Sequence, residues 1–164
     1  MSYDRGTGRK AKTLTPRLFL IHSLAHALIR QLSLSCGYGG ASLRERLYVD
    51  VHDWEMAGFL LFTSSPDSDG TLGGLARQGE SRNIVRIFED CLAAMTWCSS
   101  DPLCIEGVHA LSEPANGSAC HACLLVSETS CEEFNSFLDR ALLVGTPTRP
   151  ELGYFRDYLR EQRG

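Results

Sequence analysis

Four of the seven cysteines fall in two close pairs, Cys98-Ser-Ser-Asp-Pro-Leu-Cys104 and Cys120-His-Ala-Cys123. A closed tetrahedral thiolate site needs two tight turns that each offer two sulfurs, joined by a connector long enough to bring them face to face. The second pair has the ordinary C-x2-C spacing of such a turn, whereas the first, C-x5-C, is wider. Pro102, Pro114 and Asn116-Gly117 surround the four thiols, and these residues make turns rather than fill hydrophobic layers. The pattern points to one Zn2+ held by Cys98, Cys104, Cys120 and Cys123. The bland alternatives are reduced core thiols, which pack as small hydrophobes, or disulfides. Against disulfides, the chain shows no apolar signal segment at its start and its cysteine count is odd, so the expectation is a reducing, cytoplasmic setting.

The remaining chemistry-bearing residues divide by context. Cys91 lies on the stripe Ile84, Ile87, Phe88, Cys91, Leu92, Met95 at helical spacing and is expected in the core. Cys131 follows Ser130, a candidate helix cap with Glu133 completing a capping box, and a helix N-terminus there would favour its thiolate. It is a reserve ligand that could replace one of the four or stay free. His121, trapped between two ligands, is expected beside the metal or at the surface rather than as a fifth donor. His22 and His26 are four apart and share a helix face. Such a pair can bind metal, but the H-E-x-x-H pattern is absent, and a polar stripe packed against a loop or partner is the favoured expectation. Asp67-Ser-Asp-Gly-Thr-Leu-Gly-Gly-Leu75 is glycine-rich but lacks the Gly-Lys-Ser/Thr ending of a phosphate loop and the register of a calcium loop. It is expected to be a tight structural turn.

The elements that must position these groups follow from periodicity. Thr15-Pro16 starts a helix whose apolar face, Leu18, Ile21, Leu24, Ala25, Leu28, Ile29 and Leu32, ends before Gly37, predicting a central, mostly buried helix. Leu47, Val49 and Val51 alternate with Tyr48, Asp50 and His52 as a half-buried strand. Residues 58–63 predict a more fully buried one, joined to it by a five-residue connection, 53–57, as a hairpin. An amphipathic helix is expected over residues 81–97. A further helical stripe runs through Phe134, Phe137, Leu138, Ala141 and Leu142 to Gly145. Tyr154, Phe155, Tyr158 and Leu159 predict a short terminal helix that either finishes the core or docks on a partner. The fold class is therefore α+β: a single compact domain over residues 16–164 with a central buried helix, a small antiparallel sheet and a four-cysteine zinc site between helices. Residues 1–15 are expected to form a flexible basic arm, with Arg5, Arg9, Lys10 and Lys12.

At 164 residues and 43% hydrophobic content, the chain suits one ordinary core. Net charge is −4, so no broad basic field favours DNA, and any nucleic-acid contact must be local. No stretch has the length and apolarity of a membrane helix, and no internal repeat is visible.

Taken together, several motifs resemble the MZB domain, the zinc-binding domain named after the MrfA helicase: His22-Ser-Leu-Ala-His26, Cys36-Gly-Tyr, Ala41-Ser-Leu-x-Glu45-Arg46-Leu-Tyr48, the segment from Asp67 to Leu75, the two cysteine pairs, Glu128-Thr-Ser-Cys-Glu132 and Asn135-x-x-Leu138-Asp139-Arg140. The resemblance covers about residues 22–144. It implies a four-cysteine zinc module with ligands at Cys98, Cys104, Cys120 and Cys123. Such modules lie C-terminal to a superfamily-2 DNA helicase, or in the accessory subunit of DISARM-type bacterial anti-phage systems that works beside a separate helicase. This chain carries neither Walker motifs nor a helicase core, so motor activity is not implied. The expectation is a non-catalytic accessory module for a helicase or related DNA-processing partner, in DNA repair or antiviral defence, touching nucleic acid through the complex. The competing expectations are a hydrolase or nuclease using His22, His26 and the Asp67/Asp69 loop, and a stand-alone DNA-binding protein.

Overall fold

The structure is a computed structural model that describes residues 14–50, 56–64, 74–107 and 115–162. Helix α1 spans Pro16–Cys36. Thr15 Oγ1 accepts the Leu18 N–H at 3.2 Å, satisfying an orphan donor of the first turn, a cap that contributes about 1 kcal/mol. Pro16 fills a position where no N–H is needed. At the far end Gly37 takes φ +72° and donates its N–H to Ser33 O at 3.1 Å, the left-handed stop that glycine makes without a Cβ penalty. Leu18, Ala25, Leu28, Ile29 and Leu32 are buried, and α1 contacts the sheet and the later helices alike. It is the central helix that its apolar face predicts. His22 and His26 are as buried as its leucines.

Strands β1, Leu43–Val49, and β2, Ala57–Thr63, pair antiparallel from Leu43↔Thr63 to Val49↔Ala57, so the hairpin forms as expected. Its tip, with Val51, His52 and most of the 53–57 connection, lies outside the described residues. β1 starts four residues earlier than the alternation from Leu47 indicates. Leu43, Glu45 and Leu47 point inward while Arg44, Arg46 and Tyr48 point outward. β2 departs from expectation. Leu60 is 51% exposed and Phe62 38%, while Phe59 and Leu61 pack against the α1 cluster. In a two-stranded sheet lying on one helix, alternate side chains must face away from it.

Helix α2, Gly74–Gln78, leads into α3, Ser81–Met95. The α3 stripe Ile87, Cys91, Leu92 and Met95 is buried, and Ile87, Cys91 and Met95 join the main core with Leu28, Leu32, Leu124, Leu138 and Leu143. Cys91 is a core thiol, as expected; burial pushes its pKa up to about 12. Short helices α4, Ala141–Val144, and α5, Arg156–Glu161, follow. Phe88 meets Phe155 and Tyr158 edge-on at 5.3 and 6.0 Å, and Tyr158 Oη donates to Glu89 at 3.0 Å. The terminal segment thus closes the core, leaving Tyr154 72% exposed.

The helix expected through Phe134 and Leu138 does not form; only Ala141–Val144 is helical there. Phe134, Asn135 and Phe137 have φ of 52°, 59° and 66°, left-handed values that interrupt an α-helix. The backbone groups find partners across the chain instead. Gly117 N–H donates to Leu138 O, Phe137 N–H to Ala115 O and Arg140 N–H to Ser118 O. Asn116 bridges Asn135 O and the Leu138 N–H, and the Asn135 side chain bridges both backbone groups of Val126. The Ser130 cap fails with the helix: Ser130 ends a 3-10 turn, Glu128–Ser130. The glycine-rich loop with Asp67 and Asp69, apart from Gly74 and Leu75 that open α2, and all but the end of the basic arm lie outside the described residues. No described helix is long and apolar enough to cross a membrane.

Candidate metal centre

Cys98 follows α3 directly, and the turns after it are organised by Asp101. Asp101 Oδ2 accepts the Cys98 N–H at 2.8 Å and Oδ1 the Ile105 N–H at 3.1 Å, folding residues 98–105 into a knuckle despite its wide spacing. The second knuckle is a tight turn in which the Leu124 N–H returns to Cys120 O at 3.0 Å. The two meet so that Cys98 Sγ is 3.6 Å from Cys120 Sγ, Cys104 Sγ is 3.6 Å from Cys123 Sγ, and Cys120 and Cys123 are 3.7 Å apart. All four sulfurs lie within 4.8 Å of one another.

These separations discriminate between the chemistries. A disulfide needs about 2.05 Å. A tetrahedral ion with bonds of about 2.3 Å sets neighbouring sulfurs about 3.8 Å apart, close to the values observed. The donor set, four thiols and no oxygen, matches zinc. Backbone N–H groups stabilise sulfur charge, Ser100 donating to Cys98 Sγ at 3.4 Å and Cys120 to Cys123 Sγ at 3.3 Å. A hydrogen bond from the Cys104 thiol, with the Cys120 N–H and the Arg140 guanidinium in support, outweighs burial and holds Cys123 well below the usual thiol range. That bond pushes Cys104 up. Burial also pushes Cys98 up, so among the shifted thiols the thiolate is favoured at Cys123 alone.

Arg30 on α1 clamps the second knuckle, donating to His121 O at 3.2 Å, Leu125 O at 3.1 Å and Ala122 O at 2.9 Å. The His121 side chain itself is exposed and stands outside the sulfur cluster. Replacing Arg30 with Ala is expected to cost about 1 kcal/mol, because water takes over part of these partly exposed bonds. It should also speed zinc transfer to a chelator, measured by urea unfolding and by the rate of chelator colour change.

Cys131 does not join the four cysteines. Nor does a helix N-terminus act on it; its sulfur accepts the Asn135 N–H at 3.2 Å and the Glu133 N–H at 3.3 Å, and burial pushes its pKa up to about 12. It lies instead with His22, His26 and Glu45, a second group whose potential donor atoms are also mutually within 4.8 Å. The histidine pair was visible in the sequence as an i, i+4 pair. Glu45 was missed, although carrying the alternation back from Leu47 to Leu43 places a carboxylate on the inward face. Burial opposes ionisation of the Glu45 carboxyl, and hydrogen bonds and charge from protonated His22 and His26 offset it and hold the carboxyl down at about 2; neutral rings withdraw that support. His22, lowered by burial, favours the neutral, metal-binding form. Both histidines are 0% exposed, which removes them from any substrate in solution.

The sequence profile of the MrfA Zn-binding domain, MZB, matches residues 24–124. The chain is 41% identical over 140 residues, 85% of its length, to the DISARM protein DrmB of Bacillus paralicheniformis, and it spans 24% of the length of that relative. The profile match takes in all four clustered cysteines, His26 and Glu45; His22 and Cys131 lie just beyond its ends.

Proposed function

The chain belongs to the MrfA Zn-binding domain family, and from that premise we propose that it is a non-catalytic module whose Cys98, Cys104, Cys120 and Cys123 hold a structural Zn2+. In this proposal it serves in a bacterial anti-phage assembly beside a superfamily-2 helicase, which supplies the motor and brings the module to DNA in the cytoplasm. The observation that carries the zinc assignment is the 3.6 to 3.7 Å spacing of the sulfurs. Four thiolates complete a tetrahedral sphere and leave no open position of the kind catalytic zinc needs. Likeness to a DISARM protein favours defence over repair.

The hydrolase alternative loses support from the burial of His22 and His26, since an acid or base must reach its substrate. Direct, stand-alone DNA binding is disfavoured by the net charge of −4. The test is purification of the full chain from its host, with metal analysis and mass spectrometry of what accompanies it. A superfamily-2 helicase and zinc should both be recovered with the wild type, and Cys120→Ser/Cys123→Ser should lose both the helicase and the zinc of the four-cysteine cluster. A zinc-loaded chain without any helicase would overturn the partnership, and a metal-free chain would overturn the zinc assignment.

A further inference from the structure

Five buried side-chain nitrogen and oxygen atoms have no hydrogen-bond partner among the described residues, and four of them are His22 Nδ1, His26 Nε2, Glu45 Oε1 and Glu45 Oε2. Buried polar groups are ordinarily paired, so this concentration in one place needs a cause; His26 Nε2 and Glu45 Oε1 lie where the groups meet, and His22 faces that point through Nε2, with its orphaned Nδ1 on the other side of the ring. The fold directs these groups at one another. The α1 repeat stacks His22 over His26 with rings 4.5 Å apart and 88° to one another, and the β1 pleat turns Glu45 toward them. The left-handed residues Phe134, Asn135 and Phe137 let the chain double back, with Cys131 Sγ receiving two backbone N–H groups.

The donors converge on a common point. Glu45 Oε1 is 2.9 Å from His22 Nε2 and 3.4 Å from His26 Nε2, and His22 Nε2 is 3.2 Å from Cys131 Sγ. His26 decides what fills the space. Its Nδ1 is 2.9 Å from Leu124 O; a carbonyl only accepts, so Nδ1 carries the proton and Nε2 of the neutral ring presents a lone pair. That lone pair faces a carboxylate oxygen. Two electron-rich atoms held together in a dry interior repel each other unless a cation lies between them. An imidazole anchored through Nδ1–H to a backbone carbonyl, with Nε2 left free, is also the usual arrangement around a metal.

We propose that His22, His26, Glu45 and Cys131 form a second metal site, distinct from the four-cysteine cluster, for a divalent cation of the zinc class. The thiolate and imidazoles exclude magnesium and calcium as natural occupants, and the mixture of two nitrogens, one oxygen and one sulfur suits zinc. Four protein donors, with both histidines and the Glu45 side chain fully buried, make the site closed and structural. It fastens α1 to β1 and to a loop 109 positions along the chain from His22. Leu124 O, which orients His26, adjoins Cys123 of the first cluster, so the two sites share a support while keeping separate ligands.

The test is metal analysis of the full chain loaded with zinc, together with zinc X-ray absorption. Two zinc ions per chain are expected, sharing five sulfurs, four from the cysteine cluster plus Cys131, and three nitrogen or oxygen donors. His26→Ala and Cys131→Ala should each lose one ion and leave a sulfur-only shell, while Cys120→Ser should lose the other ion and leave the mixed shell. Because a variant could fail to fold, cobalt titration of the wild type supplies a second readout: two binding phases, only one of them dominated by thiolate charge transfer. One ion per chain in an all-sulfur shell, or a single cobalt phase of that kind, overturns the second site. One ion in a mixed shell instead overturns the four-cysteine assignment and leaves this one standing.

Discussion

Stripping zinc from the four-cysteine cluster, or replacing Cys120 and Cys123 with Ser, should unfold the segment that carries both knuckles and lower the thermal midpoint of the whole chain. Structural zinc in small peptides supplies an apparent 10 to 16 kcal/mol, on the order of the roughly 5 to 15 kcal/mol that holds an ordinary domain together. The segment has little else to rely on. Between the end of α3 and α4 the described chain contains no α-helix and no strand, so its turns are ordered by the sulfurs, by Asp101 and by cross-chain hydrogen bonds. Hydrogen exchange resolves the effect. Amides of the described residues from 98 to 123 should lose protection first, and those in the middle of α1 last. The serine variant separates this cluster from any other metal site that a chelator would also empty. An unchanged melting curve for that variant would remove the four-cysteine zinc from the account of the fold.

Arg140→Met should be the most damaging single change outside the metal ligands. Arg140 is 0% exposed; its Nη1 donates to Met95 O at the end of α3 at 3.0 Å, and its Nη2 donates to Asp101 Oδ1. Asp101 in turn holds the Cys98 and Ile105 N–H groups, so the guanidinium orders the first knuckle at one remove. Breaking a buried ion pair by removing one partner costs about 3 to 5 kcal/mol. Asp101 retains 17% exposure, which places the expected loss at about 3 kcal/mol, the lower end of that range. The charge itself has a further role, since the guanidinium favours the Cys123 thiolate, and a tetrathiolate zinc site carries net negative charge. Zinc affinity should therefore fall along with stability, read by urea unfolding of the zinc-loaded protein and by chelator competition. Arg140→Lys should recover only part of both, because an ammonium keeps the charge but not the planar fork that spans Met95 and Asp101. Equal stability of Arg140→Met and wild type would refute this role.

The difference between these positions and Cys131 shows which information is local. Thr15, Pro16 and Gly37 bound α1 through capping interactions complete within a few residues, and the buried part of the α3 stripe needs only the helical period to be recognised. The two cysteine pairs are readable because each knuckle is a short-range object whose spacing reflects its turn. The 131–140 stretch has the apolar spacing of a helix and does not form one. Asn116, Asn135 and the carbonyls of Ala115 and Ser118 offer its backbone better partners, and nothing in the local pattern reveals that competition.

What the amino-acid sequence determined alone was the α+β class, the central helix with both its ends, and the four thiols with zinc spacing, since each depends on periodicity or on turns a few residues long. The tertiary structure alone decided that β2 would show Leu60 and Phe62 to solvent, that Cys131 would leave the first cluster, and that Glu45 would face His22 and His26. The last two outcomes join groups 19 to 109 positions apart in the chain, His26 with Glu45 and His22 with Cys131. Which distant partner a side chain meets is settled by packing α1 against the sheet and the returning loop, a choice no short window of residues contains.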